Sequence, residues 1–309
     1  MMNTKGLRLI LLLALLWSCT GPEHSKETES NPMNRPEVQH VLFRPRAAAR
    51  TSLPPGAADF AVEVEPGISI GCRLFMADKA APTILFFHGN GEIVSDYDEI
   101  GPFYVEQGLS FFVTDYRGYG WSGGSPSFSN LLADSHVLYK WLQEHLQENG
   151  GNPALFLMGR SLGSAAAIEL AAAYNSEISG LIIDSGFALT LPLAATLGMG
   201  DLLKEIPLTE EQTFNNVGKI RKVTKPTLLL HGHNDTLIPL WQAEKLHAEC
   251  GARSKELQVV PGADHNSLIA VGGKYYFQAV SRFVRQATGA DDWRKRRKQF
   301  KDAQQDKEE

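Results

Sequence analysis

The stretch Ala154-Leu155-Phe156-Leu157-Met158-Gly159-Arg160-Ser161-Leu162-Gly163-Ser164-Ala165-Ala166-Ala167-Ile168-Glu169-Leu170 decides how this chain is read. Its first five residues form a short, continuous apolar run of the kind found in buried strands. Its last seven are alanine-rich and suited to a helix. Between them lies Gly159-Arg160-Ser161-Leu162-Gly163, a G-x-S-x-G turn. Strand, sharp turn and helix in that order strain the serine backbone, and the flanking glycines let neighbouring chain pass closely. The hydroxyl of Ser161 is thereby expected above a sheet edge at a helix N-terminus, as a candidate nucleophile. A second match, Gly120-Trp121-Ser122-Gly123-Gly124, runs into Ser125-Pro126-Ser127, so neither a strand before it nor a helix after it is expected.

Outward from this turn the same alternation recurs. Residues 60–65 and 68–75 flank Pro66-Gly67 and predict an antiparallel hairpin. Apolar runs at 83–87, 109–114, 154–158, 178–183, 227–230 and 256–260 predict buried parallel strands. Helical periods lie between them, as in Leu131, Leu132, Ser135, Leu138, Tyr139 and Leu142. The expected fold is α/β, a mostly parallel central sheet with helices on both faces. Its loops after the parallel strands should gather along one ligand-binding edge. Residues 186–225 are too long for a plain connection and predict a short helical lid over that edge.

A serine hydroxyl needs a base, and the base needs an acid to orient it. His265, in Gly262-Ala263-Asp264-His265-Asn266, follows the last predicted strand and precedes a terminal helix expected over 274–287. Asp235 follows the 227–230 strand, with Pro239 placed to begin the next helix. Asp184, one strand earlier, is the competing acid, and Asp264 should point elsewhere. Two amides are expected to face a developing oxyanion. One is Leu162 N–H and the other is Asn90 N–H, with Gly91 the alternative, from His88-Gly89-Asn90-Gly91-Glu92. His88 and His231 are expected to shape loops, since their spacing fits no zinc site. No metal or organic cofactor is called for.

Length and composition set the outer limits. The chain has 309 residues, of which 43% are hydrophobic and 21% charged, enough for one sizeable core. A formal charge of −5 gives no basic excess and excludes nucleic acid as the main partner. Three cysteines make no disulfide framework. Cys72 reads as a core residue on the apolar face of a strand, with pairing to Cys250 the alternative.

The N-terminus reads as a targeting segment. Lys5 and Arg8 precede an apolar run over 9–17 that is too short to span a bilayer as a helix. Leu16-Trp17-Ser18-Cys19 resembles a bacterial lipobox, which implies cleavage before Cys19 and lipid attachment there. The expected location is the bacterial cell envelope, anchored to a membrane on its extracytoplasmic face. An ordinary secretory peptide is the alternative. Residues 1–18 are thus a signal peptide, and 19–58, polar and proline-containing, a lipidated tether. Residues 59–288 form the folded domain. Residues 289–309 form a charged tail that is either a solvated helix or a contact for anionic headgroups.

Across residues 60–287 the chain resembles the α/β-hydrolase superfamily. It is most similar to a branch with an HGN loop (His88-Gly89-Asn90), a segment Asp115-Tyr116-Arg117-Gly118-Tyr119-Gly120-Trp121-Ser122, and the elbow already quoted. Asp235 and His265 follow in matching order. The resemblance implies a membrane-associated serine hydrolase acting on an acyl ester or thioester through Ser161, Asp235 and His265. It also implies a structural role for the 115–120 segment, with Asp115 and Arg117 forming an ion pair. The fold also hosts serine aminopeptidases, which is the alternative among enzymes. A lipid-tethered binding protein without chemistry is the alternative outside them.

Overall fold

A computed structural model describes residues 31–290. The signal peptide, Cys19 and all but the first two residues of the charged tail lie outside the described residues. Eight strands form one sheet in the order β1-β2-β4-β3-β5-β6-β7-β8. They are β1 (Ala57–Glu65), β2 (Ile68–Phe75), β3 (Thr83–Phe87), β4 (Ser110–Thr114), β5 (Leu155–Arg160), β6 (Gly180–Asp184), β7 (Thr227–Gly232) and β8 (Lys255–Val260). β1 and β2 pair antiparallel, as do β2 and β4, and every other pairing is parallel. Each strand lies within a few residues of its expected run.

The apolar runs are continuous because successive side chains enter two separate cores. Leu85, Phe87, Phe112, Leu155, Leu157, Leu181, Ile183 and Leu229 point to one face. Ile84, Phe86, Phe111, Val113, Phe156, Met158, Ile182, Leu228 and Leu230 point to the other. Helices Phe128–Glu148, Gly163–Ala173 and Leu240–Glu249 cover the first face, and Gly101–Glu106 and Leu268–Ala287 cover the second. Strands buried on both faces leave no polar alternation. The last helix changes direction at Gly273, whose φ of +51° is non-helical, so its straight portion begins at Lys274. Cys72 and Cys250 are both buried and unpaired, as the core reading of Cys72 requires.

The stretch read as tether differs in its second half. From Asn31 the chain packs on the domain, and Pro36–Leu42 is a helix. Met33, Val38, Leu42 and Phe43 are buried in the first core. Pro36 at the first helical position, Glu37 beside it, and Val38 and Leu42 four apart are the local causes. This arm also forms a parallel bridge, Ala47 to Gly120. Residues 186–225 fold into short helical pieces, Thr190–Ala194, a π-type turn Ala195–Met199, Gly200–Glu205 and Asn216–Ile220. Among the described residues no helix is long and apolar enough to cross a membrane.

Candidate active site

Ser161 stands between β5 and the helix Gly163–Ala173, with φ +51°, a conformation costly for a side-chain-bearing residue. Its N–H donates to the Asp184 carbonyl at 2.9 Å, which holds the turn against β6. The glycines are required by close approach. A Cβ on Gly159 would lie 2.2 Å from the Gly163 carbonyl oxygen, and one on Gly163 would lie 2.1 Å from that of Phe87. The other G-x-S-x-G match is a loop, where Ser122 Oγ accepts a hydrogen bond from Gly71 N–H at 2.9 Å.

His265 sits on the loop after β8. Its Nε2 is 3.0 Å from Ser161 Oγ, and its Nδ1 is 2.7 Å from Asp235 Oδ2. The other Asp235 oxygen accepts from Leu237 N–H at 3.0 Å and Ile238 N–H at 2.8 Å, so two amides fix the carboxylate plane. His231 N–H donates to the Ile238 carbonyl at 2.7 Å behind it. Burial pushes the His231 imidazole below its ordinary value, so it is neutral and serves the loop. Asp264 is turned into its own loop, where Oδ1 accepts from Asn266 N–H and Ser267 N–H at 3.0 and 2.9 Å. Asp184 faces the second core. Its Oδ2 accepts from Tyr276 O–H at 2.6 Å, and burial raises its carboxyl above the usual range. The structure thus brings Ser161, His265 and Asp235 into one hydrogen-bonded chain and leaves Asp184 out.

Asn90 and Leu162 line the same cavity as Ser161 and His265, with a volume of about 310 Å³. The Asn90 side chain has a separate role. Its Nδ2 donates to the Leu42 carbonyl at 2.9 Å, and its Oδ1 accepts from Arg44 N–H at 2.8 Å and Tyr119 O–H at 2.7 Å. The apolar part of the wall comes largely from the 186–225 interval, including Phe187, Leu193, Leu197 and Phe214.

Two expectations need correction, and one set of residues was missed. Asp115 and Arg117 do not pair with each other. Asp115 accepts from Val94 N–H at 2.9 Å and lies 3.2 Å from His88 Nε2. Arg117 makes a forked contact with Asp134, both bonds 2.8 Å, and a third with Glu65. Both acids are distant in sequence, so adjacency within one motif was a poor guide. The arm contributes Leu42 and Arg44 to the cavity, where no polar tether was expected to reach. Glu92 and Arg160 also line it, joined by an ion pair. The spacing of Val38 and Leu42 was the available signal for the arm, whereas the ion pair left none.

Fold and cavity together define the class, and the chain belongs to the α/β-hydrolase family. It is 30% identical over 233 residues to alpha/beta hydrolase domain-containing protein 17B of Homo sapiens, covering 74% of this chain and 75% of that one. It is 30% identical to Protein bem46 of Schizosaccharomyces pombe over 209 residues, 67% of this chain and 68% of the other. Residues 78–199 match the family described as Serine aminopeptidase, S33, and residues 152–291 match the Prolyl oligopeptidase family. Among solved structures, the esterase Pf2001 of Pyrococcus furiosus superposes with a TM-score of 0.65 at 20% identity, covering 79% of this chain and 99% of that one. The protein is a hydrolase.

Proposed function

We propose that the protein hydrolyses an acyl ester or thioester through Ser161, His265 and Asp235. The hydrogen-bonded chain of 3.0 and 2.7 Å from Ser161 Oγ through His265 to Asp235 carries this reading. His265 takes the Ser161 proton as Oγ attacks the acyl carbonyl, and Asp235 holds the imidazole in the tautomer that leaves Nε2 free to accept. The amides of Asn90 and Leu162 receive the oxyanion. His265 returns the proton to the leaving alcohol or thiol, and water attacks the acyl-enzyme by the reverse route. The apolar wall suits an acyl chain.

A peptidase that held a substrate ammonium would need an unoccupied carboxylate. Glu92 is the one acid lining the cavity among the described residues, and Arg160 occupies it. With Arg44 also present, the cavity favours an acyl group over a free amine.

The deciding experiment is Ser161→Ala, with p-nitrophenyl esters, an acyl thioester and a fluorophosphonate label on the same protein. Hydrolysis should fall about 10⁴-fold or more, with folding unchanged. Equal labelling of the variant would remove Ser161 from the reaction, and no turnover by the parent protein would favour a binding role. The reading extends to the leader. Lipid on Cys19 would anchor the enzyme in the bacterial envelope, and Cys19→Ser should then release it from membranes in a fractionation.

A further inference from the structure

The residue between Gly159 and Ser161 carries a charge that it cannot give to water. Arg160 is 8% exposed. Its Nη1 pairs with Glu92 Oε1, and its Nη2 donates to the main-chain carbonyl of His265 at 2.8 Å. The second oxygen of Glu92 accepts from Gly89 N–H at 2.7 Å and from Tyr97 O–H at 2.6 Å. Two side chains therefore tie the end of β5 to the loops following β3 and β8. Gly89 is a glycine for this reason, since a Cβ there would stand 2.7 Å from Arg160 Nη1 and 3.0 Å from Glu92 Oε1. Although burial opposes the charge on each partner, the mutual attraction prevails, holding the Glu92 carboxyl below its usual range and the Arg160 guanidinium above its own.

A buried ion pair is a poor source of net stability, because desolvation of both charges offsets their attraction. This one is placed where it fixes geometry. We infer that Arg160 and Glu92 are positioning residues: together they hold the loop bearing Asn90 in register with the loop bearing His265, and they cancel each other's charge beside the imidazole. The inference rests on the hydrolytic reading above.

The groups around His265 set the expected signs. Asp235 faces its Nδ1, with His231 behind that carboxylate at 3.5 Å. Asp264 is adjacent but turned into its own loop, and Asp184 is held by Tyr276. Arg160 donates to the His265 carbonyl and is itself paired with Glu92, and Arg44 shares the cavity. Glu92→Gln keeps an oxygen for Gly89 but leaves the Arg160 cation unbalanced. A nearby unbalanced cation disfavours the imidazolium. Arg160→Lys keeps the charge but loses the planar fork that reaches Glu92 and His265 at once.

The test measures kcat and KM against pH with a soluble acyl ester for the parent and both variants. Arg160→Lys should lose at least tenfold in kcat with KM and the acid limb of the profile unchanged. Glu92→Gln should lose kcat and also move that limb to lower pH. Urea unfolding checks that each variant is folded. Should Glu92→Gln not fold, the Arg160→Lys kcat decides, and a parental value would overturn the inference. Parental kcat and limb in both folded variants would likewise overturn it, while leaving the hydrolase reading intact. Should the parent turn over no acyl substrate, that reading fails. NMR titration of the His265 ring in parent and Glu92→Gln then decides: a downward shift supports the charge pairing, and no shift overturns it.

Discussion

The side-chain amide of Asn90 donates to the carbonyl of Leu42 at 2.9 Å, so the loop after β3 is fastened to chain that precedes the sheet. The same side chain accepts from Arg44 N–H and Tyr119 O–H. Asn90→Ala removes all three bonds and strands the Leu42 carbonyl near the cavity, while Arg44 N–H keeps its 3.0 Å bond to the Tyr119 hydroxyl oxygen. Unfolding free energy should fall by about 1–3 kcal/mol, and ester turnover should fall with it. Urea unfolding with parallel kinetics checks both. Parental stability would show the arm to be held by its remaining contacts, the buried apolar residues and the Asn34 and Gln39 hydrogen bonds.

The wall formed by Leu193, Leu197 and Phe214 limits what can lie beside Ser161. Leu197→Trp fills part of a cavity of about 310 Å³ without touching the hydrogen-bonded chain. The preferred acyl chain should shorten, with kcat/KM for long-chain esters falling about tenfold relative to acetyl or butyryl esters. A series of p-nitrophenyl esters measures it, and a uniform change across chain lengths would place the acyl group elsewhere.

Glu169 provides one pH-dependent contribution to stability. Burial alone would raise its carboxyl, but the His136 hydrogen bond and the Lys219 charge win and hold it at about 2. Its folded value lies below its unfolded one, so the stabilisation is full above the ordinary carboxylate range. It is lost as pH falls toward about 2. After solvent screening, Glu169→Gln should cost about 1–2 kcal/mol at neutral pH. The difference from the parent should shrink steadily below pH ~4.5. Unfolding curves across that window test it, and a constant difference would assign the effect to packing.

Arg117 forks onto Asp134, and both side chains are 8% exposed. Arg117→Met would leave the Asp134 carboxylate buried without its partner. The expected loss is about 3–5 kcal/mol, read from the urea midpoint. A loss below about 1 kcal/mol would mean that water reaches Asp134 once the fork is gone.

Most of this arrangement could be read from the chain because it follows from local pattern. The strand at 154–158, the turn at Ser161 and the alanine-rich helix are contiguous, and each reinforces the next. Asp235 and His265 were reached by their places after β7 and β8, which parallel crossovers bring to one edge. The arm was misjudged because its prolines and charges hide a short apolar stripe of Val38 and Leu42, and burial of so few residues depends on a surface provided elsewhere. The Glu92–Arg160 pair was invisible for a similar reason. Its two members are 68 residues apart, and no periodicity links the loops that hold them.

The +51° backbone at Ser161 sets stability against reactivity at a single position. Glycine would relax that conformation at little steric cost but would carry no hydroxyl to face His265. Optimisation of this sequence for thermal endurance alone would therefore erase residue 161 among its earliest changes. A hardened version of the fold must take its gains elsewhere and leave that one taut peptide as it is.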